Sequence, residues 1–317
     1  MAVIQKNTLP RKKGLFVRRL KRYWALWVMA LPGVLYLLLN NYLPMAGTTI
    51  AFKNLNFTKG FWKSDWVGFE NFKYLFQTSD AFVITRNTLA YNAVFIVVTL
   101  VVSVALAIAL NEVRRKVLKK FYQSAVLLPY FLSAVVVAYL VFSLLSAQYG
   151  LLNKSILPLF GKDMILWYNE PKYWPYILVL VNTWKSAGYF CIVYIAAIVG
   201  IDSEYYEASL IDGASKWQQI RSITLPLITP VMTTMVLLQI GRIFYSDFGL
   251  FFQVPMNSGT LYPVTNVIDT YVYRGLLQMG DLGMSSAAGL YQSAVGFVLV
   301  MLSNLVVRKV NREQALF

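Results

Sequence analysis

The chain has 317 residues, of which 58% are hydrophobic and 14% are charged, and its net charge is +15. This composition excludes a soluble globular domain and indicates an integral membrane protein. The basic residues cluster beside apolar segments, so the charge does not indicate nucleic-acid binding. With no His and one Cys, Cys191, the composition excludes a His/Cys metal site and a disulfide framework. Nothing suggests an all-carboxylate metal site.

The N-terminal segment, residues 1–22, is strongly basic and precedes the first apolar run. No charged residue occurs from Tyr23 to Phe52. This run is longer than the about 7–15 apolar residues of a secretory signal peptide. It is also long enough to cross a bilayer. We therefore expect an uncleaved membrane anchor that follows a basic cytoplasmic segment.

Six apolar segments reach the roughly 20 residues that a helix needs to cross the hydrocarbon. We therefore predict an all-α membrane protein with six transmembrane helices. The fourth span contains Lys185 and the fifth contains Arg242, whereas the second, third and sixth contain no charged residue. The predicted spans are residues 23–43, 87–111, 121–146, 174–199, 225–245 and 286–307.

The distribution of Lys and Arg predicts the orientation of the spans. Eighteen of them lie in the N-terminal segment, in residues 112–120, in the loop between the fourth and fifth spans, and after the sixth span. Nine lie on the opposite side, spread over longer loops. By the positive-inside rule, both termini and the loop at about residues 200–224 are predicted to be cytoplasmic.

The three loops predicted to be external, residues 44–86, 147–173 and 246–285, are long. The first is rich in Phe and Trp, which favours an aromatic belt at the membrane interface over direct ligand contact. The third has Gly and Pro breaks and no helix-length apolar run. Because no internal repeat or flexible linker occurs, we expect one membrane domain, residues 23–307, followed by a cytoplasmic tail at 308–317.

The predicted cytoplasmic loop carries a regular pattern of residue types. Glu207-Ala208-Ser209 is followed after three residues by Gly213, and after nine more by Ile223-Thr224-Leu225-Pro226. Acidic residues at 202, 204 and 207 suit the start of a short helix, and Gly213 suits a left-handed turn that ends it. A second short helix is expected to begin at Lys216, and Pro226 to open the next span. The loop is therefore predicted to form a helix-turn-helix knob on the membrane surface.

This pattern resembles the coupling loop of binding-protein-dependent ABC importer permeases, with Ser209 as a small residue in place of Ala. The resemblance implies the type I ABC importer permease architecture, and an ATPase subunit that this loop contacts and Glu207 helps to hold. No G-x-x-x-x-G-K-[ST] motif occurs, so ATP and Mg are expected on partner ATPase subunits and no cofactor on this chain. The predicted ATPase-coupling residues are Glu207, Ala208, Ser209, Asp212, Gly213, Trp217, Ile223, Leu225 and Pro226.

The resemblance extends over nearly the whole chain. Leu31-Pro32-Gly33, the Val67–Phe72 stretch and the Gly249–Arg274 loop look like sugar permeases of the maltose-importer class. Within that class the chain is similar to the branch linked to oligosaccharides from polysaccharide or glycan breakdown. The resemblance implies a heterodimer with a second homologous permease, two ATPase subunits and an extracellular solute-binding protein, in a bacterial cytoplasmic membrane. The expected function is ATP-driven sugar import by alternating access, without covalent chemistry or catalytic residues.

Polar and charged residues inside the predicted spans are candidates for the substrate pathway, because they are costly on a lipid-facing surface. Aromatic rings beside hydrogen-bonding groups suit a sugar, which has an apolar C–H face and a hydroxyl edge. Structural pairing is equally open: Lys185 and Arg242 could pair with acids of the partner permease, or Arg242 with Asp247. A stripe of small residues around Gln292 favours close helix packing in the sixth span. The candidate pathway residues are Asn182, Trp184, Lys185, Tyr189, Arg242, Tyr245 and Asp247.

Two other classes of membrane protein compete with this interpretation. A secondary carrier for a small polar solute is the alternative function, but carriers usually show internal repeats with interrupted helices, and a carrier would not explain the loop pattern. A membrane-embedded enzyme would need a cluster of acids or His at membrane depth, which the spans lack. The charge of the sugar stays open, because Lys185 and Arg242 could bind a carboxylate or donate hydrogen bonds to a neutral sugar.

Overall fold

The computed structural model describes residues 22–310, and the chain divides at Ile50 and Ala51 into two compact units. Most of the N-terminal basic segment, residues 1–21, and the end of the predicted tail, residues 311–317, lie outside the described residues. The described chain is mostly helical. Five helices are long and apolar enough to cross a membrane, or six if one sharply bent pair is counted as a single span.

The first apolar run forms one helical stretch, α1, at Trp24–Phe52. The predicted first span, residues 23–43, therefore ends nine residues too early. The helix continues past Tyr42 through the Leu43–Met45 turn and a 3₁₀ segment at Ala46–Phe52. The sequence is uncharged over this whole stretch, so no charged residue forces an earlier end.

Four wide π turns occur in the described chain, and each is followed by one residue and then a proline. The first is Leu38–Tyr42, where the Leu43 N–H reaches back five residues to the Leu38 carbonyl before Pro44. A proline has no N–H to donate, and its ring crowds the carbonyl four residues earlier in a regular α-helix. A wider turn relieves that crowding, so the helix continues instead of breaking. The other three turns are Leu152–Ile156 before Pro158, Ile220–Thr224 before Pro226, and Gly249–Gln253 before Pro255.

The second unit begins with a small hairpin. Strand β1, Lys53–Asn54, pairs antiparallel with β2, Asp65–Trp66, and a short helix, Gly60–Lys63, lies between them. Helix α2, Glu70–Gln77, follows, and the side-chain amide of Asn71 donates to the carbonyls of Ala51 (2.9 Å) and Lys53 (3.0 Å). Some of the aromatic residues predicted to form an interface belt pack on one another here. For example, Phe52 stacks on Trp66 with ring centroids 5.7 Å apart.

Two long helices form the centre of the second unit. Helix α3, Asp80–Asn111, begins seven residues before the predicted second span, and helix α6, Pro171–Val199, contains the predicted fourth span. Their facing sides bury two hydrophobic clusters. One contains Tyr91 and Trp174, together with residues of the later loop around Phe251, and the other contains Ala107 and Tyr194.

The third predicted span, residues 121–146, is not one straight helix. Helix α4, Lys116–Phe131, and helix α5, Ala134–Leu145, meet at an angle of 100°. Pro129 removes one backbone donor near the end of α4, and Leu132 and Ser133 are extended. The Ser133 hydroxyl then accepts the Val136 N–H at 3.3 Å and caps a new helix. Pro129 therefore ends one helix and Ser133 begins another, within an apolar run that hydropathy alone predicts to be one span.

The fifth predicted span, residues 225–245, is displaced at both ends. Helix α7, Ser203–Ile211, precedes helix α8, Lys216–Ile240. Helix α8 starts early because Ser215 forms a capping box with Gln218. Its α-helix ends at Ile240, so Arg242 and Tyr245 lie beyond it rather than inside a span. The second helix of the predicted knob is thus continuous with the fifth span.

The last loop and the last span complete the second unit. The third external loop contains helix α9, Ile268–Leu277, which sequence inspection did not predict. Helix α10, Leu282–Val310, contains the predicted sixth span and packs against α9 and α2. The remaining short helices are Leu157–Leu159, Trp167–Asn169, Pro171–Tyr173 within α6, Gly259–Leu261 and Tyr262–Thr265.

Candidate functional site

The knob predicted from the loop pattern is present as two helices joined by a tight turn. Helix α7 begins after Asp202, whose carboxylate accepts the Glu204 N–H at 3.0 Å. It ends at Gly213, where φ is +73° and the Ala214 N–H reaches back to the Ser209 carbonyl at 2.9 Å. No neighbouring atom lies within 4 Å of the position that a Cβ at 213 would take. Glycine is therefore favoured here by the left-handed backbone and not by crowding, and the predicted turn is confirmed.

Side-chain hydrogen bonds join α7 to the start of α8. The Gln219 amide donates to the Ser209 hydroxyl at 2.9 Å, and the hydroxyls of Tyr206 and Thr224 lie 2.9 Å apart. Gln219 and Thr224 are buried, so these polar groups depend on their partners. We call these four residues the polar brace. The knob is therefore fixed to the helix that follows it.

The outer surface of the knob combines apolar side chains with an unpaired acid. Glu207 is exposed and makes no ion pair with any residue between 22 and 310. Ile211 is 88% exposed and Trp217 is 67% exposed, and Leu210 is exposed beside them. Large apolar side chains exposed on the same two short segments as an unpaired acid are typical of surfaces that bind a partner. Of the predicted coupling residues, Ala208, Asp212, Gly213 and Pro226 are also exposed, and Ser209, Ile223 and Leu225 are half-buried.

A second candidate region begins where α8 ends. The backbone from Gly241 to Asp247 is not helical, and side chains of neighbouring helices bind its polar groups. Asn92 of α3 donates to the carbonyls of Ile243 (2.8 Å) and Tyr245 (3.1 Å). Buried backbone groups outside regular secondary structure need such partners, because an unpaired polar group is costly to bury. We call residues 241–247 the linker segment.

Helix α10 and helix α9 hold the linker segment from another side. The Gln292 amide donates to the Phe244 carbonyl at 2.9 Å and to the Asp269 carboxylate at 3.1 Å. The same Asp269 oxygen accepts the Ser246 N–H at 2.8 Å. Burial raises the pKa of Asp269, and its hydrogen bonds from Ser246 and Gln292 oppose that rise. Gln292 is therefore more than a member of a packing stripe, and sequence inspection missed Asn92 and Asp269.

An ion pair links α6 to the end of the linker segment. The Lys185 ammonium lies 4.0 Å from an Asp247 carboxylate oxygen, and the other carboxylate oxygen accepts the Leu250 N–H at 3.1 Å. Asp247 thus pairs with Lys185 rather than with Arg242. The Arg242 side chain is exposed and makes no ion pair in the part of the chain that the structure describes. The structure brings Lys185 and Asp247 together and leaves Arg242 outside that pair.

The break between α4 and α5 lies next to this ion pair. A Cβ placed on Gly249 would be 2.5 Å from the Ala134 Cβ and 3.1 Å from Asp247, so the start of α5 packs directly on this backbone. Tyr130, just before the break, stacks on Tyr189 of α6 with ring centroids 4.9 Å apart. Sequence inspection missed Tyr130, although Pro129 beside it was a signal for a helix end.

The remaining pathway candidates are placed as follows. Trp184 and Tyr245 are each partly exposed, and Asn182 is half-buried on α6. The aromatic rings could contact the C–H groups of a polar solute. The partly exposed Lys185–Asp247 pair and the exposed guanidinium of Arg242 could form hydrogen bonds with it. Within residues 22–310, no group of three or more His, Cys, Asp or Glu side chains could hold a metal ion.

Comparison with known proteins decides between the competing classes. Residues 99–312 match the model of a family described as "Binding-protein-dependent transport system inner membrane component". The chain belongs to this family. It is therefore a permease component of an ABC import system in the membrane, and not a secondary carrier or an enzyme.

The permease is similar to characterised relatives over almost its full length. It is 36% identical to the polygalacturonan/rhamnogalacturonan transport system permease protein YteP of Bacillus subtilis, over 96% of this chain and 93% of the relative. It also matches a chain in the crystal structure of a bacterial ABC transporter involved in the import of the acidic polysaccharide alginate. That match has a TM-score of 0.84 and 33% identity, and covers 93% of this chain and 99% of the other.

A further solved structure contains a bound solute-binding component. It is the bacterial alginate ABC transporter in complex with the periplasmic protein that carries an alginate pentasaccharide. The match has a TM-score of 0.82 at 33% identity, and covers 92% of this chain and 97% of the other. The permease therefore has the type I ABC importer fold, with five to six candidate spans.

Proposed function

We propose that this chain is a six-span permease subunit that imports an oligosaccharide bearing carboxylates, with both termini in the cytoplasm. In this proposal the bent pair α4 and α5 forms the third span. A second homologous permease, two ATPase subunits that bind ATP and Mg, and an extracellular solute-binding protein complete the importer. The Lys and Arg distribution, with Arg114, Arg115 and Lys119 near the cytoplasmic end of α3, supports this orientation.

The exposed knob supports the contact with an ATPase subunit. Glu207 has no ion-pair partner among the described residues, Ile211 is exposed one turn further along α7, and Trp217 is exposed at the start of α8. A groove on a soluble subunit that supplies a cation and apolar walls would cover all three side chains. Leaving the apolar side chains of Ile211 and Trp217 exposed to water costs free energy that such a groove would recover.

The observation that carries the substrate class is an exposed arginine in the linker segment that has no ion-pair partner among the described residues. Asp247 balances Lys185, whereas Arg242 is exposed without an ion pair among the described residues. An arginine binds a carboxylate through two parallel hydrogen bonds. The partly exposed rings of Trp184, Tyr189 and Tyr245 would contact the C–H faces of sugar rings. The relatives named for polygalacturonan and alginate transport support a sugar of this acidic kind.

The test compares two forms of one oligosaccharide in the complete reconstituted importer. An oligogalacturonide and its methyl ester have the same length and linkage and differ in carboxylate charge. We expect the wild type to import the acid in preference to the ester, and Arg242→Gln to reduce import of the acid by about tenfold or more. Import of the ester should change little. The matched control is Arg308→Gln, which removes an exposed cation at the far end of α10.

Each outcome of this experiment bears on one part of the proposal. Equal import of acid and ester by the wild type would refute the acidic substrate class. An equal loss of both substrates in Arg242→Gln would show that Arg242 supports the structure or the partner contact instead. Absence of ATP-dependent import of any saccharide, with an assembled importer, would refute the oligosaccharide assignment itself.

A further inference from the structure

Four residues of the polar brace connect two helices at two separate points. Tyr206 and Ser209 lie three residues apart on α7, and therefore on one face of that helix. Their partners on α8 are Thr224 and Gln219, which lie five residues apart. The Ser209 hydroxyl also donates to the Tyr206 carbonyl at 2.7 Å, so it is bonded both to its own helix and to Gln219.

The wide turn at Ile220–Thr224 explains how both partners reach α7. Residues five apart in a regular α-helix point about 140° away from each other, since each residue advances about 100°. A turn closed by bonds over five residues places such positions close to the same side. The Leu225 N–H makes such a bond to the Ile220 carbonyl, immediately before Pro226. The π turn therefore directs Gln219 and Thr224 to the same neighbouring helix.

A third contact joins the knob to a different span. The Lys216 ammonium lies 3.3 Å from the Glu112 carboxylate, which directly follows α3. Both side chains are largely exposed, so this pair contributes little energy by itself. It nevertheless shows that the start of α8 lies beside the C-terminal end of α3.

We propose that the polar brace makes the knob and the fifth span one rigid lever, so that movement imposed on α7 is passed to α8 without bending at Gly213. Tyr206, Ser209, Gln219 and Thr224 are positioning residues in this mechanism. Without their bonds, the single-glycine turn at Gly213 would be the main connection between the two helices. This proposal rests on the proposed function only in assuming that an ATPase subunit moves the knob.

The test measures a distance across the brace in the complete importer. Spin labels are placed at Ser203→Cys, at the start of α7, and at Leu238→Cys, near the end of α8, in a Cys191→Ala background. Both labelled positions are exposed, and Cys191 is buried. Distances are measured by pulsed electron paramagnetic resonance with ADP and with ATP plus vanadate.

We expect the wild type to give the same distance in both nucleotide states. In the Tyr206→Phe/Gln219→Leu variant the distance should change between the two states, because the knob moves without the span. Removing both bonds should raise the population of the unbraced knob about 30-fold, at ~1 kcal/mol for each bond. Ser222→Ala is the matched control, since Ser222 is exposed in the same wide turn and should behave as the wild type.

Two results would overturn the proposal. One is a wild-type distance that differs between ADP and ATP plus vanadate, because the lever would then bend in normal operation. The other is a double variant whose distance is as constant as in the wild type. If the double variant does not assemble, Tyr206→Phe alone removes one hydroxyl, and a distance that stays constant in it would count against the brace. If no ATPase subunit co-purifies with the wild type, the proposed function fails, and that outcome is distinct from either distance result.

Discussion

Replacement of Gly213 offers a direct measure of backbone strain in the knob. Its φ of +73° lies in the left-handed region, and no neighbouring atom lies within 4 Å of the place that a Cβ would occupy. A Cβ at this position therefore meets no neighbour within the chain, so an effect of Gly213→Ala on the fold of the knob comes from the backbone. An L-residue costs about 1–2 kcal/mol in this conformation, whereas Asn adopts it with less strain than most residues.

The expected order of ATPase affinity follows from that strain. Gly213→Asn should bind the ATPase subunit nearly as well as the wild type. Gly213→Ala should weaken the interaction by roughly 5- to 30-fold, the factor that corresponds to about 1–2 kcal/mol. Gly213→Val should weaken it at least as much, because a β-branched residue is a stronger outlier there. The measurement is a titration of purified ATPase subunit onto the permease pair in nanodiscs.

The ATPase affinities of the three variants separate backbone strain from direct contact with the partner. Wild-type affinity in Gly213→Val would refute the claim that the left-handed turn shapes the docking surface. An Asn variant as weak as the Val variant would show that the partner excludes any side chain at this position, so that contact rather than strain explains the glycine.

Two further predictions concern orientation and the linker segment. In a Cys191→Ala background, Lys63→Cys should react with an impermeant maleimide on intact cells, whereas Ser222→Cys should react only after permeabilisation, and labelling of Ser222→Cys from outside would refute the topology. Gln292→Leu should lower the thermal unfolding midpoint of the purified importer, at a cost of about 1–3 kcal/mol, because the Phe244 carbonyl loses its buried partner. Ser293→Ala, which changes an exposed neighbour, should leave the midpoint unchanged, and an equal midpoint in both variants would contradict the role assigned to Gln292.

The knob was predictable because its signals are local. Asp202 caps a helix, Gly213 ends it, and Ser215 begins the next one, so each residue acts on backbone within a few positions. The fourth and sixth spans were predictable for a similar reason, since long apolar runs read directly as helices. Whether Glu207 and Trp217 contact an ATPase subunit stays a prediction.

The arrangement around the linker segment could not be predicted in the same way. Residues 225–245 are apolar enough to read as one span, and nothing local shows that the helix ends at Ile240. Its non-helical continuation is stabilised by Asn92 and Gln292, which are distant in sequence and belong to other helices. The pairing of Asp247 with Lys185 likewise depends on tertiary structure, and the alternative pairing with Arg242 was equally consistent with the sequence.

The π turn before Pro226 has a consequence for the length of this region. If one residue were deleted between Ile220 and Thr224, the regular turn that closes there would crowd the Pro226 ring against the carbonyl four residues earlier, unless Pro226 were also replaced. Four steps around a regular turn cover nearly the same angle as five steps around a wide one. With the deletion and Pro226→Ala together, the knob should therefore keep nearly its present direction. A deletion in a regular turn of α8 would instead rotate everything before it by about 100° and shift it by about 1.5 Å along the axis. The wide turn should therefore tolerate a paired deletion better than the regular turns of α8 tolerate a single one.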